Sequence, residues 1–120
     1  MNAKPSHDLA TRTKAFALRI IRLYSALPRS VVAQVIGKQL LRCGTSVGAQ
    51  YREAKRARST AEFISKIESC LQELDESAYW LELLIEGKIL ASTRLADLLQ
   101  ETNQLIAILV ASAKTAKKNK

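Results

Sequence analysis

Apolar residues recur at helical spacing along almost the whole chain, and no proline after Pro28 interrupts them. That pattern leaves little room for anything but helices packed along their lengths. Leu9, Phe16, Ile20, Leu23 and Leu27 fall on one side of a first helix over residues 8–26. Ser6 or Asp8 is placed to cap it, behind a loose lead-in of residues 1–7. Arg12, Arg19 and Arg22 occupy an adjoining solvated flank, and His7 reads as a solvent-facing side chain. Leu27, Pro28, Arg29 and Ser30 make the first break, because proline disfavours helix before it and suits a helix's first turn.

A second helix follows over residues 29–57. Val32, Ile36, Cys43, Val47 and Ala54 share one side of it, with Lys38, Arg42, Arg52 and Arg56 nearly opposite. Gly37, Gly44 and Gly48 each cost about 1 kcal/mol relative to alanine inside a helix. Gly44 and Gly48 share a flank with Leu41, which points to close approach by another helix. Ser59 and Glu62 form a capping box, with Glu62 reaching back. The third helix covers residues 60–86, and Gly87 is the expected left-handed stop. Its stripe is Phe63, Ile67, Cys70, Leu71, Leu74, Ala78, Leu81 and Ile85. Glu68, Glu73, Asp75, Glu76, Glu82 and Glu86 occupy its other faces, where they can pair with the basic second helix.

Towards its end the third helix becomes apolar almost all round, as Tyr79, Trp80, Leu83 and Leu84 leave the main stripe. One-sided burial does not require this. Either the fourth helix wraps closely there or a second subunit covers the face, and the subunit is the preferred reading. Ser92 or Thr93 is expected to cap the fourth helix. Leu95, Leu98, Leu99, Thr102, Leu105, Ile106, Leu109 and Ala113 form its inner face. A lysine-rich tail from Lys114 to Lys120 complements the helix dipole and is expected to fray. The expected architecture is all-α, an antiparallel up-down-up-down four-helix bundle, with residues 1–120 as a single domain.

Composition narrows the function classes. Two cysteines on apolar stripes read as reduced, buried thiols. The polar first fourteen residues do not resemble a signal peptide, and no uncharged stretch is long enough to span a bilayer. A cytoplasmic protein with no membrane partner is the expectation. A single histidine rules out the paired Glu-x-x-His ligands of a di-iron bundle, and two separated cysteines make a poor zinc site. The glycines lack a P-loop ending. Ser46 has no histidine base, and Glu53 could serve as a base only if buried. Hence neither catalytic residues, a metal nor a cofactor is expected.

Charge is more informative. Residues 1–60 hold 12 Lys or Arg against 2 acids, and residues 61–120 hold 7 against 9, leaving +10 and −2. A concentration of this kind points to an anionic partner. Residues 38–58, KQLLRCGTSVGAQYREAKRAR, carry half of it, six basic side chains against the single acid Glu53. Lys38, Arg42, Arg52 and Arg56, broadened by Lys55 and Arg58, form a stripe suited to phosphate contacts. With Tyr51 as the sole nearby aromatic, recognition by charge and shape is expected rather than base reading. Ser46, Gln50 and Glu53 share another face and are expected to line a polar contact between helices or subunits.

The run LLRCGTSVGAQYREA at residues 40–54 resembles the most recognisable segment of the four helix bundle protein family, also called the 23S ribosomal RNA intervening-sequence or S23-like proteins. EFISK at residues 62–66 and ESAYWLEL at residues 76–83 resemble its other two landmarks. Gln50 departs from the asparagine that the family commonly carries there. Relatives include the accessory protein of diversity-generating retroelements, which looks like a basic, barrel-shaped homopentamer that engages nucleic acid and a reverse transcriptase. The resemblance therefore implies a homo-oligomer, a pentamer on that analogy, with RNA or DNA and a reverse transcriptase or other protein as partners. Gly44, Ser46, Gly48, Gln50, Glu53, Tyr79, Trp80 and Leu83 are the candidate packing or oligomer contacts. The leading expectation is a non-catalytic nucleic-acid-binding bundle. The alternative is an adaptor that binds another protein through the acidic third helix or its apolar end.

Overall fold

Three of the four helices start where a short polar side chain captures a free backbone donor. The structure is a computed structural model and describes residues 8–119. Its helices are α1 (Leu9–Ser25), α2 (Val31–Lys55), α3 (Thr60–Glu86) and α4 (Ser92–Lys118). Asp8 caps α1 by accepting from the Thr11 N–H at 3.2 Å, and Ser30 caps α2 by accepting from Ala33 at 3.2 Å. Ser59 caps α3 through the Glu62 N–H at 3.0 Å. Glu62 does reach back, but it accepts from the Arg58 N–H at 3.2 Å, one residue earlier than a standard capping box. Ser6, His7 and the lead-in lie outside the described residues.

Two expected signals are corrected. Neither Ser92 nor Thr93 caps α4: Ala91 holds the cap position and supplies no side-chain hydrogen bond. Gly87 is right-handed, with φ −78°, and the left-handed residue is Lys88 at φ 58°. The α3 end is a Schellman turn, with the Lys88 N–H on the Ile85 carbonyl and the Ile89 N–H on the Leu84 carbonyl, both at 3.0 Å. Glycine at position 87 is explained by space, since a Cβ there would stand 2.8 Å from the Leu83 carbonyl oxygen.

The helices alternate in direction. α3 packs against both α2 and α4, while α1 packs chiefly on α2. The core contains Phe16, Ile20, Leu40, Ile67, Leu74, Leu81, Leu105 and Leu109, all essentially inaccessible. Every residue expected on the α1 stripe is buried, joined by Thr13, whose hydroxyl donates to the Leu9 carbonyl at 2.6 Å. Arg12 departs from its expected solvated flank: its Nε donates to Glu101 of α4 at 3.1 Å, tying the two outer helices together.

The buried side of α2 is Ala33, Gly37, Leu40, Cys43, Gly44, Val47 and Ala54. Val32 is therefore not in the core; it is 59% exposed, close to Val31 and Val35, which are also exposed. Small residues turn inward because α1 comes so close. An added Cβ at Gly44 would lie 2.8 Å from Cγ1 of Ile20, and one at Gly48 would lie 3.3 Å from the Thr13 hydroxyl. At Gly37 it would collide with Leu27.

The buried face of α3 is Ile64, Ile67, Cys70, Leu74, Ser77, Ala78, Leu81 and Leu84. Phe63, Leu71 and Ile85, expected at the centre of the stripe, sit half-buried at its edges. Leu84 is wholly buried, so it does not project away from the core. Because α3, like α2, packs against two helices, a wide apolar arc is what its position requires. On α4, Leu95, Leu98, Thr102, Leu105, Leu109 and Ala113 are buried, with Leu99 and Ile106 half-buried. The helix continues through Lys118.

Candidate functional site

The last turns of α2 keep Ala54 in the core, and the basic residues on their other sides emerge at the corner where α2 meets α3. Arg52, Lys55, Arg56 and Arg58 are all exposed there. Arg52, Glu53, Arg56, Arg58, Glu62 and Lys66 line one concave notch at this corner. Within it the Lys66 Nζ donates to Glu53 at 2.6 Å, which holds the Lys66 ammonium above its usual pKa. Glu53 is thus an α2–α3 ion-pair partner on an exposed surface. Lys66 is an addition that sequence reasoning missed; it lay inside the EFISK landmark without being read as part of the basic surface. Lys14 is another, placed by α1 beside Arg52 along the groove that also holds Gly48 and Ala49.

The rest of the expected stripe behaves differently. Lys38 is exposed but lies well along α2 from this corner. Arg42 is turned onto α3, with Nη2 donating to Glu76 at 2.8 Å and Nη1 3.5 Å from Glu73. The Glu76 hydrogen bond is the main reason its guanidinium holds its proton more tightly than usual. The contact to Glu73 lacks hydrogen-bond geometry, and that Glu73 oxygen is buried without a hydrogen-bond partner. Arg42 is therefore largely committed to the fold.

Gly44 and Gly48 are packing positions against α1. Ser46 donates to the Arg42 carbonyl within its own helix at 2.8 Å, and Gln50 is half-buried. The Ser46, Gln50 and Glu53 face is thus brought together only along α2, and Glu53 is the member that accepts a hydrogen bond from a neighbouring helix. Trp80 and Leu83 are half-buried, and Tyr79 is 54% exposed. Tyr79 and Trp80 meet edge to face with ring centroids 5.1 Å apart, and the Trp80 Nε1 is buried without a partner.

A family model for the 23S rRNA-intervening sequence protein matches residues 6–111. The chain belongs to that family. A crystal structure at 1.70 Å resolution, of a protein with unknown function from the S23 ribosomal protein family of Bacteroides thetaiotaomicron VPI-5482, has a TM-score of 0.83 to this chain. The two are 36% identical over 88% of this chain and 98% of that chain. No curated protein matches the chain.

For this member of the 23S rRNA-intervening sequence protein family, the chemistry of the remaining reactive groups is muted. Both cysteines are free and buried. Burial pushes the Cys70 thiol up to about 12 and raises that of Cys43 as well. The Ser77 hydroxyl donates to the Glu73 carbonyl at 2.8 Å and rests 3.2 Å from Cys43 Sγ. Protonated thiols in such surroundings are poor nucleophiles. Among the described residues, no group of three His, Cys, Asp or Glu side chains is arranged to hold a metal ion. No helix among the described residues is long and apolar enough to cross a membrane.

Proposed function

We propose that this protein is a non-catalytic, cytoplasmic, homo-oligomeric bundle that binds RNA or DNA through phosphate contacts from the basic side of α2. The observation that carries this reading is the corner where Arg52 and Lys55, on the last turn of α2, and Arg56 and Arg58, on the turn leading to α3, stand exposed together. Phosphate recognition needs cations held at a surface and no reactive geometry. Lys38 extends the same side, while Arg42 contributes little because Glu73 and Glu76 already hold it. Several copies in one assembly would multiply a weak contact by avidity.

Anisotropy titration with labelled RNA and DNA at several salt concentrations tests this. Affinity should fall steeply with salt and be lost in the triple variant R52E/R56E/R58E. Salt-independent affinity, or full binding by that variant, would remove the reading. Light scattering tests assembly, and a strict monomer at tens of micromolar would remove avidity.

A second reading has its own support. Tyr79 stands exposed beside Trp80, whose Nε1 is unpartnered, and Asp75, Glu76 and Glu82 flank them in one hollow. An acidic aromatic surface of this kind suits a protein partner with basic side chains. Tyr79→Ala should leave nucleic-acid affinity unchanged if the two surfaces are separate.

A further inference from the structure

The antiparallel fold redistributes charge in a way the sequence halves do not reveal. The N-terminus of α1, the α2–α3 corner and the C-terminus of α4 all lie at one end of the bundle. Ala116 of α4 and Asn119, which caps it, line the same hollow as Ala57, Arg58 and Phe63, and Lys117 Nζ reaches Glu68 of α3 at 3.2 Å. Lys55 is close enough to Asp8, the α1 cap, to lower its carboxyl pKa, behind the larger effect of the Thr11 hydrogen bonds. Residues 8–14, 52–68 and 114–119 make up this end and hold 10 Lys or Arg against 4 acids. The other described segments, 15–51 and 69–113, hold 7 against 7. With Glu101 counted beside its partner Arg12, most of the net positive charge of the described bundle resides at one end.

We infer that this end, completed by Lys114 and Lys118 of α4, is the surface that receives the phosphodiester backbone of a nucleic acid. The inference rests on the reading of nucleic-acid binding above, and it adds a helix that reading does not use. Among the described residues, Arg52, Lys55, Arg56, Arg58, Lys114 and Lys118 make no ion pair within the chain. Cations left unpaired in this way retain the charge that counterion release requires. Arg58 on the turn before α3 and Lys114 and Lys118 on the last turns of α4 are exposed cations of different elements at that one end.

A nucleic acid fits this end better than an anionic membrane. Interfacial binding depends on apolar side chains that enter the acyl boundary. Among the described residues, the exposed large apolar ones are Leu18, Ile21, Val31, Val32, Val35 and Tyr79, and all six lie in the segments outside the basic end.

The test compares two charge-neutralising pairs of exposed residues. K114Q/K118Q removes the α4 contribution, and R22Q/R29Q removes two cations from the opposite end. Binding of the full-length protein to labelled 20-nucleotide RNA and DNA is measured between 50 and 200 mM KCl. K114Q/K118Q should weaken binding about tenfold at 100 mM and lower the salt slope by about 1 to 2, while R22Q/R29Q stays within about twofold. If the wild type binds and R52E/R56E/R58E does not, yet K114Q/K118Q binds normally, the end surface is wrong and the α2 reading survives. Equal losses in the two glutamine pairs would also overturn it, by reporting only overall charge. No binding by the wild type removes both readings. Tighter binding to phosphatidylserine vesicles than to either nucleic acid overturns the choice of partner.

Discussion

At Gly44 the absence of a side chain sets how close two helices can come. The Ile20 atom nearest an added Cβ is Cγ1, one bond from a branched Cβ and fully buried, so it has little freedom to retreat. Gly44→Ala gains about 1 kcal/mol of helix propensity but overpacks the seam at about 1–3 kcal/mol. A net loss in urea denaturation is expected, larger for Gly44→Val and smaller for Gly48→Ala, where the clearance is 3.3 Å. A stabilised Gly44→Ala would contradict the seam. Cys70 makes a second residue-scale prediction. Its thiol ionises near 8.5 in an unfolded chain and at about 12 in the fold. Between those values the unfolded state carries fewer protons, so stability falls as pH rises through that window. The slope should approach about 1 kcal/mol per pH unit for this thiol. Urea midpoints measured from pH 7 to 10.5 should drop, and Cys70→Ala should flatten the drop. An unchanged slope in that variant would refute the assignment.

At the scale of the element, the uncapped start of α4 is the feature most open to improvement. Ala91 has φ −64° and ψ 137°, the extended backbone of a cap residue, yet offers no acceptor. Ala91→Ser should stabilise the protein by about 1 kcal/mol, raising the thermal midpoint by about 4 °C. No change would mean that the α4 start is already satisfied in another way. Helix existence and length were legible in the sequence, because long apolar periodicities admit little else. The cap at Ser59 was legible too, since its partner Glu62 stands three residues on. The α4 cap was not, because Ser92 and Thr93 are both capping residue types and only the path of the turn decides which residue lies half outside the helix. The same holds for Gly87 and Lys88: glycine next to a helix end signals a turn, but the Schellman bonds place the left-handed backbone one residue later.

Across the whole molecule, the bundle cancels charge along most of its length and leaves it at one end. Arg42 was indistinguishable from Arg52 and Arg56 on a helical wheel. What separates them is α3, which brings Glu73 and Glu76 against Arg42 and offers Arg52 and Arg56 no such partner. The lysines of α4 read in sequence as complements to a helix dipole, and the antiparallel path brings Lys117 onto Glu68 of α3. The salt titrations of the paired glutamine variants address this scale, since they ask whether position or total charge governs binding.

The sequence by itself determined the helices, the inward stripes of α1 and α4 and the family. These follow from periodicity and from residues that act through neighbours close in the chain. Only the tertiary structure decided which small residues of α2 turn inward, why Leu84 is core and which arginines remain unpaired. It also decided where the net charge sits. Each of these depends on contacts between residues tens of positions apart, whose partners are fixed by packing rather than by local spacing.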